Sequence, residues 1–406
     1  MSTVAENIHR GDSRGIGGWP LIWVAALALV LMLHYGREFV PAAVEYPAGS
    51  VIPFAEWISA IMNWLRENLT WFTRSITAIL NVPLSFALDL LAKGFKFGHG
   101  AESWTLPRLS WVGVVIVAFL VGRAAGGLKL GLLTGSCFLY VALFGQWTSS
   151  MLTLGLIAIA VPFCILTGLF VGIWAWRKPW AERFMVSPAL DLMQTMPTFA
   201  YLIPMLLLFG NSPVSAMMAT AIFATPPMVR ATMLGLSRIP AEISDFSEMA
   251  GCTTRQKLWR VQLPSARPTL MVGVNQVIML ALNMVIISSM IGAGGLGYDV
   301  LLALRALKVG NAMEAGLAIV AIAIALDRVS QAMAAKQARG HVHQDDDVRS
   351  FYKRYPNLVL AIAALLVTTV LSLAIPAFAK VPAEITISTA RAWKDAVTWI
   401  TINWFD

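Results

Sequence analysis

Two clusters in this chain have the residue types for site chemistry. Gly292, Gly294, Gly295 and Gly297 crowd together as in a phosphate-cradling turn, and His341 and His343 stand beside Asp345, Asp346 and Asp347 with the donors of a metal site. A phosphate cradle needs a strand before the turn and a helix start after it, so that backbone amides converge on the anion. These glycines follow a long apolar run instead, which makes them a turn or gate where backbones approach closely. The His and Asp cluster reads as a solvated linker. No G-x-x-x-x-G-K-[ST] loop and no H-E-x-x-H occurs, and the five histidines are scattered along the chain. Cys137, Cys164 and Cys252 suggest neither a disulfide nor a metal site and read as small core residues. The expectation is a chain with no catalytic residue, no metal and no cofactor of its own.

Organised charge is found instead in residues 240–264, PAEISDFSEMAGCTTRQKLWRVQLP. Pro240 suits a helix start, where its missing N–H is an orphan anyway, and Gly251 suits a left-handed helix end. Thr253 and Gln256 have the spacing of a capping box that opens a second short helix. Glu242, Asp245 and Glu248 fall every third residue on the first helix, while Arg255, Lys257 and Arg260 charge the second. Leu263 and Pro264 return the chain to apolar sequence. Such a polar hairpin, set between apolar runs, is suited to docking into a cleft of another protein.

The register of this hairpin resembles the EAA loop of ABC transporter permeases, in which E-A-A is followed by a glycine and then by I-x-L-P. Asp245-Phe246-Ser247 stands at the triplet, Gly251 at the glycine, and Val261-Gln262-Leu263-Pro264 at the closing motif. Asp245 keeps the charge of the glutamate, whereas Phe246 and Ser247 depart from the alanines. ALDLMQTMPTFAYLIPMLLLFG over 189–210, PPMVRATMLGL from Pro226, and VGVNQVIMLALNMVIISSMIGAGGLG from Val272 are similar to the permeases of glycine betaine/proline uptake systems, a resemblance that covers residues 50–335.

That resemblance implies a type I ABC importer permease in a bacterial inner membrane. It implies a separate ABC ATPase pair that carries the ATP and Mg, a second permease copy, and a periplasmic substrate-binding protein. The implied cargo is glycine betaine, choline, proline or trimethylamine N-oxide. Asp245, Glu248, Gly251, Arg255, Leu263 and Pro264 would couple to the ATPase.

Composition agrees with a membrane setting. With 58% hydrophobic and 13% charged residues, the chain is too apolar and too charge-poor for a soluble protein of 406 residues. The net charge of +8 therefore reports membrane orientation rather than a nucleic-acid partner. Runs long enough to cross a hydrocarbon core, roughly 20 residues each, occur near 19–38, 109–123, 128–147, 150–176, 189–210, 213–235, 268–291, 310–328 and 357–379. The fold expected is an all-α membrane protein of about nine spans. Arg123 with Lys129, then Arg177, Lys178 and Arg183, then Arg230, Arg238, Arg255, Lys257 and Arg260 mark three loops that the positive-inside rule assigns to the cytoplasm.

Four segments follow. Residues 1–108 supply an anchor span and extracytoplasmic amphipathic helices over 52–93, with Trp57, Trp64 and Trp71 as interfacial anchors in lipid. Residues 109–335 form the permease core, 336–356 a cytoplasmic linker, and 357–406 a further span with an extracytoplasmic amphipathic tail. The order of parts from Tyr355 onward echoes that of the N-terminus, which suggests the start of a second permease copy.

Within the spans, Gln194, Thr195, Asn275, Asn283 and Ser288 are candidates to line a path, because polar groups in lipid need partners or water. Interhelical hydrogen bonding is the competing reading. Phe199, Tyr201 and Met284 could offer a soft aromatic wall to a methylated ammonium. An ion-coupled secondary transporter or a channel are the alternative classes, and neither gives the capped hairpin a role.

Overall fold

Apolar runs without polar breaks make long helices, and small residues on those helices decide where they cross. The computed structural model describes residues 19–35, 52–97, 104–339, 356–379, 381–382 and 384–404. The His and Asp cluster at 341–347 lies outside the described residues. The chain divides into two units, 1–64 and 65–406. In the first, α1 (Trp19–Tyr35) is an apolar helix, and α2 (Phe54–Asn68) begins with Trp57 and Trp64 exposed on its surface.

The second unit opens with α3, from Thr70 to Lys93, which is long and apolar enough to cross a membrane by length and composition. A short antiparallel hairpin follows, in which Phe95 to Phe97 pairs with Trp104 to Leu106. Then come α4 (Trp111–Gly126), α5 (Leu128–Leu143) and α6 (Trp147–Arg177). Contacts of α3 gather at one end of this bundle. Its first turns face Leu207, Leu208 and Phe209 across a groove, Leu88 packs on Gly155, and Ala92 O accepts from Arg108, which also donates to Thr148 at the start of α6.

The run 189–210 was expected as one span and is broken by a bend. The helix α7 (Pro179–Thr195) is followed by α8 (Thr198–Phe209) at an angle of 114°. Pro197 is the cause: it cannot donate back into α7 and it forces Met196 into an extended conformation. The run 213–235 likewise forms two helices, α9 (Pro213–Ala224) and α10 (Pro226–Ser237), joined at Thr225 before two prolines.

The charged hairpin comes next, as α11 (Ala241–Met249) and α12 (residues 254–265). Four longer helices follow: α13 (Arg267–Ser288), α14 (Leu296–Arg305), α15 (Val309–Arg339) and α16 (Pro356–Ala374). A last amphipathic helix, α17 (Ala390–Trp404), has no buried residue. The architecture is thus helical and membrane-type, with one small hairpin of strands among the described residues.

Glycines set the closest crossings. A side chain at Gly168 or Gly172 of α6 would strike Met228 or Thr232 of α10, and one at Gly273 of α13 would strike Ala231 of α10. Helix α10 is therefore gripped from two sides. Elsewhere, Gly113 of α4 receives Thr368 of α16, so this C-terminal apolar helix packs directly on α4. Buried Glu314 of α15 accepts from the Thr389 amide, from Thr389 Oγ1 at 3.1 Å and from Ser388 Oγ at 3.2 Å, which caps α17 against the N-terminal end of α15.

A methyl group at Gly172 would sit 2.5 Å from Thr232 Cβ. Gly172→Ala should destabilise the purified protein by about 1–3 kcal/mol, the usual range for overpacking. Gly316→Ala, where a methyl group meets nothing within 4 Å, should be neutral or stabilising. Thermal melting of both variants in the same detergent checks this.

Candidate functional site

The hairpin is built from local rules. Pro240 caps α11 with an extended backbone, and Gly251 ends it at a φ of +72°, with Gly251 N–H donating to Glu248 O and Cys252 N–H to Ser247 O. Thr253 then opens α12 with a complete capping box. Gln256 N–H donates to Thr253 Oγ1 at 3.3 Å, and Thr253 N–H donates to Gln256 Oε1 at 2.9 Å. Across the turn Lys257 Nζ meets Glu248 Oε1 at 2.5 Å. That hydrogen bond and the positive charge behind it hold the Glu248 carboxyl below its ordinary range. The pair therefore persists at neutral pH and is lost only as pH falls through that lowered value.

One face of the hairpin is anchored and the other is free. Ser247, Leu258 and Gln262 are buried, and Leu263 packs against the main core. Asp245, Glu248, Arg255 and Arg260 are exposed, and so are Phe246 at 69% and Met249 at 80%. Two large apolar side chains are thus left open on a polar helix, the kind of patch that marks an interaction surface when it is contiguous. Their position three residues apart on a charge-rich helix was the available sequence signal. Pro264 is half-buried where α12 turns back toward α13.

The candidate path residues separate into two groups. Gln194, Thr195, Phe199 and Asn283 are exposed. Asn283 belongs to a stripe on α13 with Val272, Gln276 and Met279, spaced at i, i+4, i+7 and i+11, all of them open. Phe199, 60% exposed, lies on the short 3-10 turn that starts α8 beside α13. These polar and soft apolar groups are all uncovered, and the turn that carries Phe199 packs beside α13.

The other four are engaged inside the bundle. Tyr201 is buried and donates to Met193 O at 2.5 Å, Met284 is fully buried against Tyr201, Leu202 and Met205, and Ser288 pairs with Thr220 at 3.3 Å. Asn275 accepts from Ser330 of α15 at 2.8 Å. Packing and interhelical hydrogen bonds account for all four.

Arg230 was expected in a cytoplasmic loop and lies instead within α10, where its guanidinium meets Asp191 of α7 at 2.5 Å. A charge inside an apolar helix is costly, so it stands opposite its counter-ion. The glycine turn is a close-approach device, as its composition predicts. Gly292, Gly294 and Gly295 have φ of +114°, +68° and +100°, the Asn211 side chain fills the space beside Gly292, and Leu296 N–H donates to Thr153 Oγ1 at 3.1 Å.

Comparison with known proteins gives a consistent set of likenesses. The family described as binding-protein-dependent transport system inner membrane component matches residues 164–340, from the middle of α6 to the end of α15. The permease protein TmoV of the trimethylamine N-oxide transport system of Ruegeria pomeroyi is 33% identical over 364 residues, covering 89% of this chain and 54% of that protein. The permease protein ProW of the glycine betaine/proline betaine transport system of Escherichia coli is 38% identical, over 69% of this chain and 77% of its own length. The permease protein OpuAB of the glycine betaine transport system of Bacillus subtilis is 45% identical, over 71% of this chain and 98% of its own. The chain spans about half the length of the trimethylamine N-oxide relatives it matches.

Nothing lies within 4 Å of a side chain placed at Gly251, so only its left-handed backbone resists substitution. Gly251→Val should cost the hairpin about 1–2 kcal/mol locally. Tryptic cleavage after Arg255 and Lys257 should then quicken on the order of tenfold, with global melting unchanged. Gly251→Asn should stay near wild type, because asparagine tolerates the left-handed region.

Proposed function

The chain belongs to the family of inner-membrane components of binding-protein-dependent transport systems, and on that premise we propose that it is the permease subunit of an ATP-driven importer for a small methylated-amine solute. The exposed, doubly capped hairpin carries this reading. A polar wedge with open Phe246 and Met249 on its first helix fits a cleft in an ATPase, where the ATP and Mg would reside. ABC ATPases work as pairs and one chain supplies one hairpin, so two permease copies act together.

The uncovered face of α13 and α8 is then the half-wall of a path shared between the copies. Gln194, Thr195, Gln276 and Asn283 supply polar contacts, and Phe199 and Met279 supply soft apolar ones. A methylated ammonium has few hydrogen bonds to give, and an aromatic face attracts it by about 0.5–2 kcal/mol. Such a wall is selective enough to conduct and weak enough to release. A soluble receptor presents the cargo at the end of the bundle opposite the hairpin, near the Gly292 turn.

Relatives named for glycine betaine, proline betaine and trimethylamine N-oxide support that cargo class. They also favour the importer over an ion-coupled transporter or a channel. Closure of the ATPase pair on ATP pulls the hairpins together, and α10 and α13, which enter and leave each hairpin, turn the path from one side of the membrane to the other.

Proteoliposomes containing the chain, its ATPase and its receptor should accumulate labelled glycine betaine or trimethylamine N-oxide only when ATP is on the side of the hairpin. Phe199→Ala should lower uptake about 2–30-fold through the lost cation-π contact. Accumulation without ATP, or restricted to unmethylated amino acids, would reject the proposal.

A further inference from the structure

One of the two ion pairs among the described residues lies inside the hairpin; the other, Asp191 with Arg230, joins α7 to α10 through residues 39 apart in sequence. Its setting is informative. Helix α7 carries Asp191 one turn before Gln194 and Thr195 and then breaks at Pro197 into α8, so whatever moves α7 moves the edge of the uncovered face. Helix α10 carries Arg230 two turns before its end at Ser237, and the hairpin starts at Ala241. Beside the charges, Leu190 and Val229 pack together in a small apolar cluster with Ala175 and Val186. The contact between α7 and α10 thus has an apolar inner part and a charged outer part.

Stability does not explain the charged part. The two side chains are 48% and 67% exposed, and exposed ion pairs contribute roughly 0–1 kcal/mol. Apolar side chains would suit an ordinary helix contact in lipid better, since ionisable groups there are costly. What an arginine–carboxylate pair adds is direction, because the planar guanidinium fixes the relative placement of two helices along the contact.

We infer that Asp191 and Arg230 form the strut that transmits hairpin displacement from α10 to the bent pair α7 and α8, and so to Gln194, Thr195 and Phe199. Both are positioning residues, and the inference rests on the importer reading above. When the ATPase closes, α10 shifts as one body with the hairpin. The ion pair holds α7 to it, and the path edge follows.

The test uses the assembled transporter in proteoliposomes. D191N and R230Q should assemble and hydrolyse ATP at the basal rate but lose about tenfold in solute imported per ATP, and the exchanged pair D191R/R230D should recover to within about threefold of wild type. Normal coupling in the single variants, or no recovery in the exchanged pair, would overturn the strut. A second measurement needs no cargo. Spin labels at Leu192→Cys and Leu234→Cys, both exposed, with Cys137 and Cys252 replaced by serine, should keep one separation in nucleotide-free and ATP-bound wild type and two separations in D191N. Two separations in wild type would also overturn it. If wild type imports no methylated amine while the label distances behave as described, the cargo assignment fails and the strut stands.

Discussion

The grip on α10 is the constraint from which the rest of the structure follows. In lipid, helices gain little from burying apolar surface, so they hold together where small residues let backbones come close and van der Waals contacts multiply. Gly168 and Gly172 bring α6 onto Met228 and Thr232, and Gly273 brings α13 onto Ala231. A helix held on two sides cannot bend freely. It can shift as a rigid rod, and it leads straight into the hairpin.

The hairpin is rigid for a different reason. Its two short helices have too few turns to persist alone, and they are fixed by a capping box, a left-handed glycine and the Glu248–Lys257 pair. Ser247, Leu258 and Leu263 then seat it on the bundle. The hairpin is thus continuous with α10, which meets α7 at Arg230 and Asp191. The break at Pro197 leaves a short 3-10 turn with Phe199 exposed instead of a smooth helix.

The C-terminal segment is tied to the core more firmly than its amphipathic pattern suggests. Thr368 fills the notch at Gly113, Ile387 N–H donates to Leu143 O at 2.8 Å, and Glu314 caps the last helix. A buried carboxylate needs partners, and three donors from one tail satisfy it. The exposed Trp399 and Trp404 of that helix have the character of interfacial residues.

By itself the sequence determined what depends on neighbours a few residues away. The membrane class follows from apolar run lengths, and the hairpin's register, turn and caps follow from Pro240, Gly251, Thr253 and Gln256. The close-approach role of the glycines near 292 was equally legible, because a glycine cluster after a span has few other uses. Tertiary structure alone decided the angle at Pro197, the pairing of Arg230 with Asp191, and the split of the polar candidates into exposed Gln194, Thr195 and Asn283 and engaged Asn275 and Ser288. The physical reason is one of range. Backbone hydrogen bonds and caps close within four residues, so local pattern fixes them. Which face of a helix is covered depends on partners tens to hundreds of residues away, brought together only where packing permits.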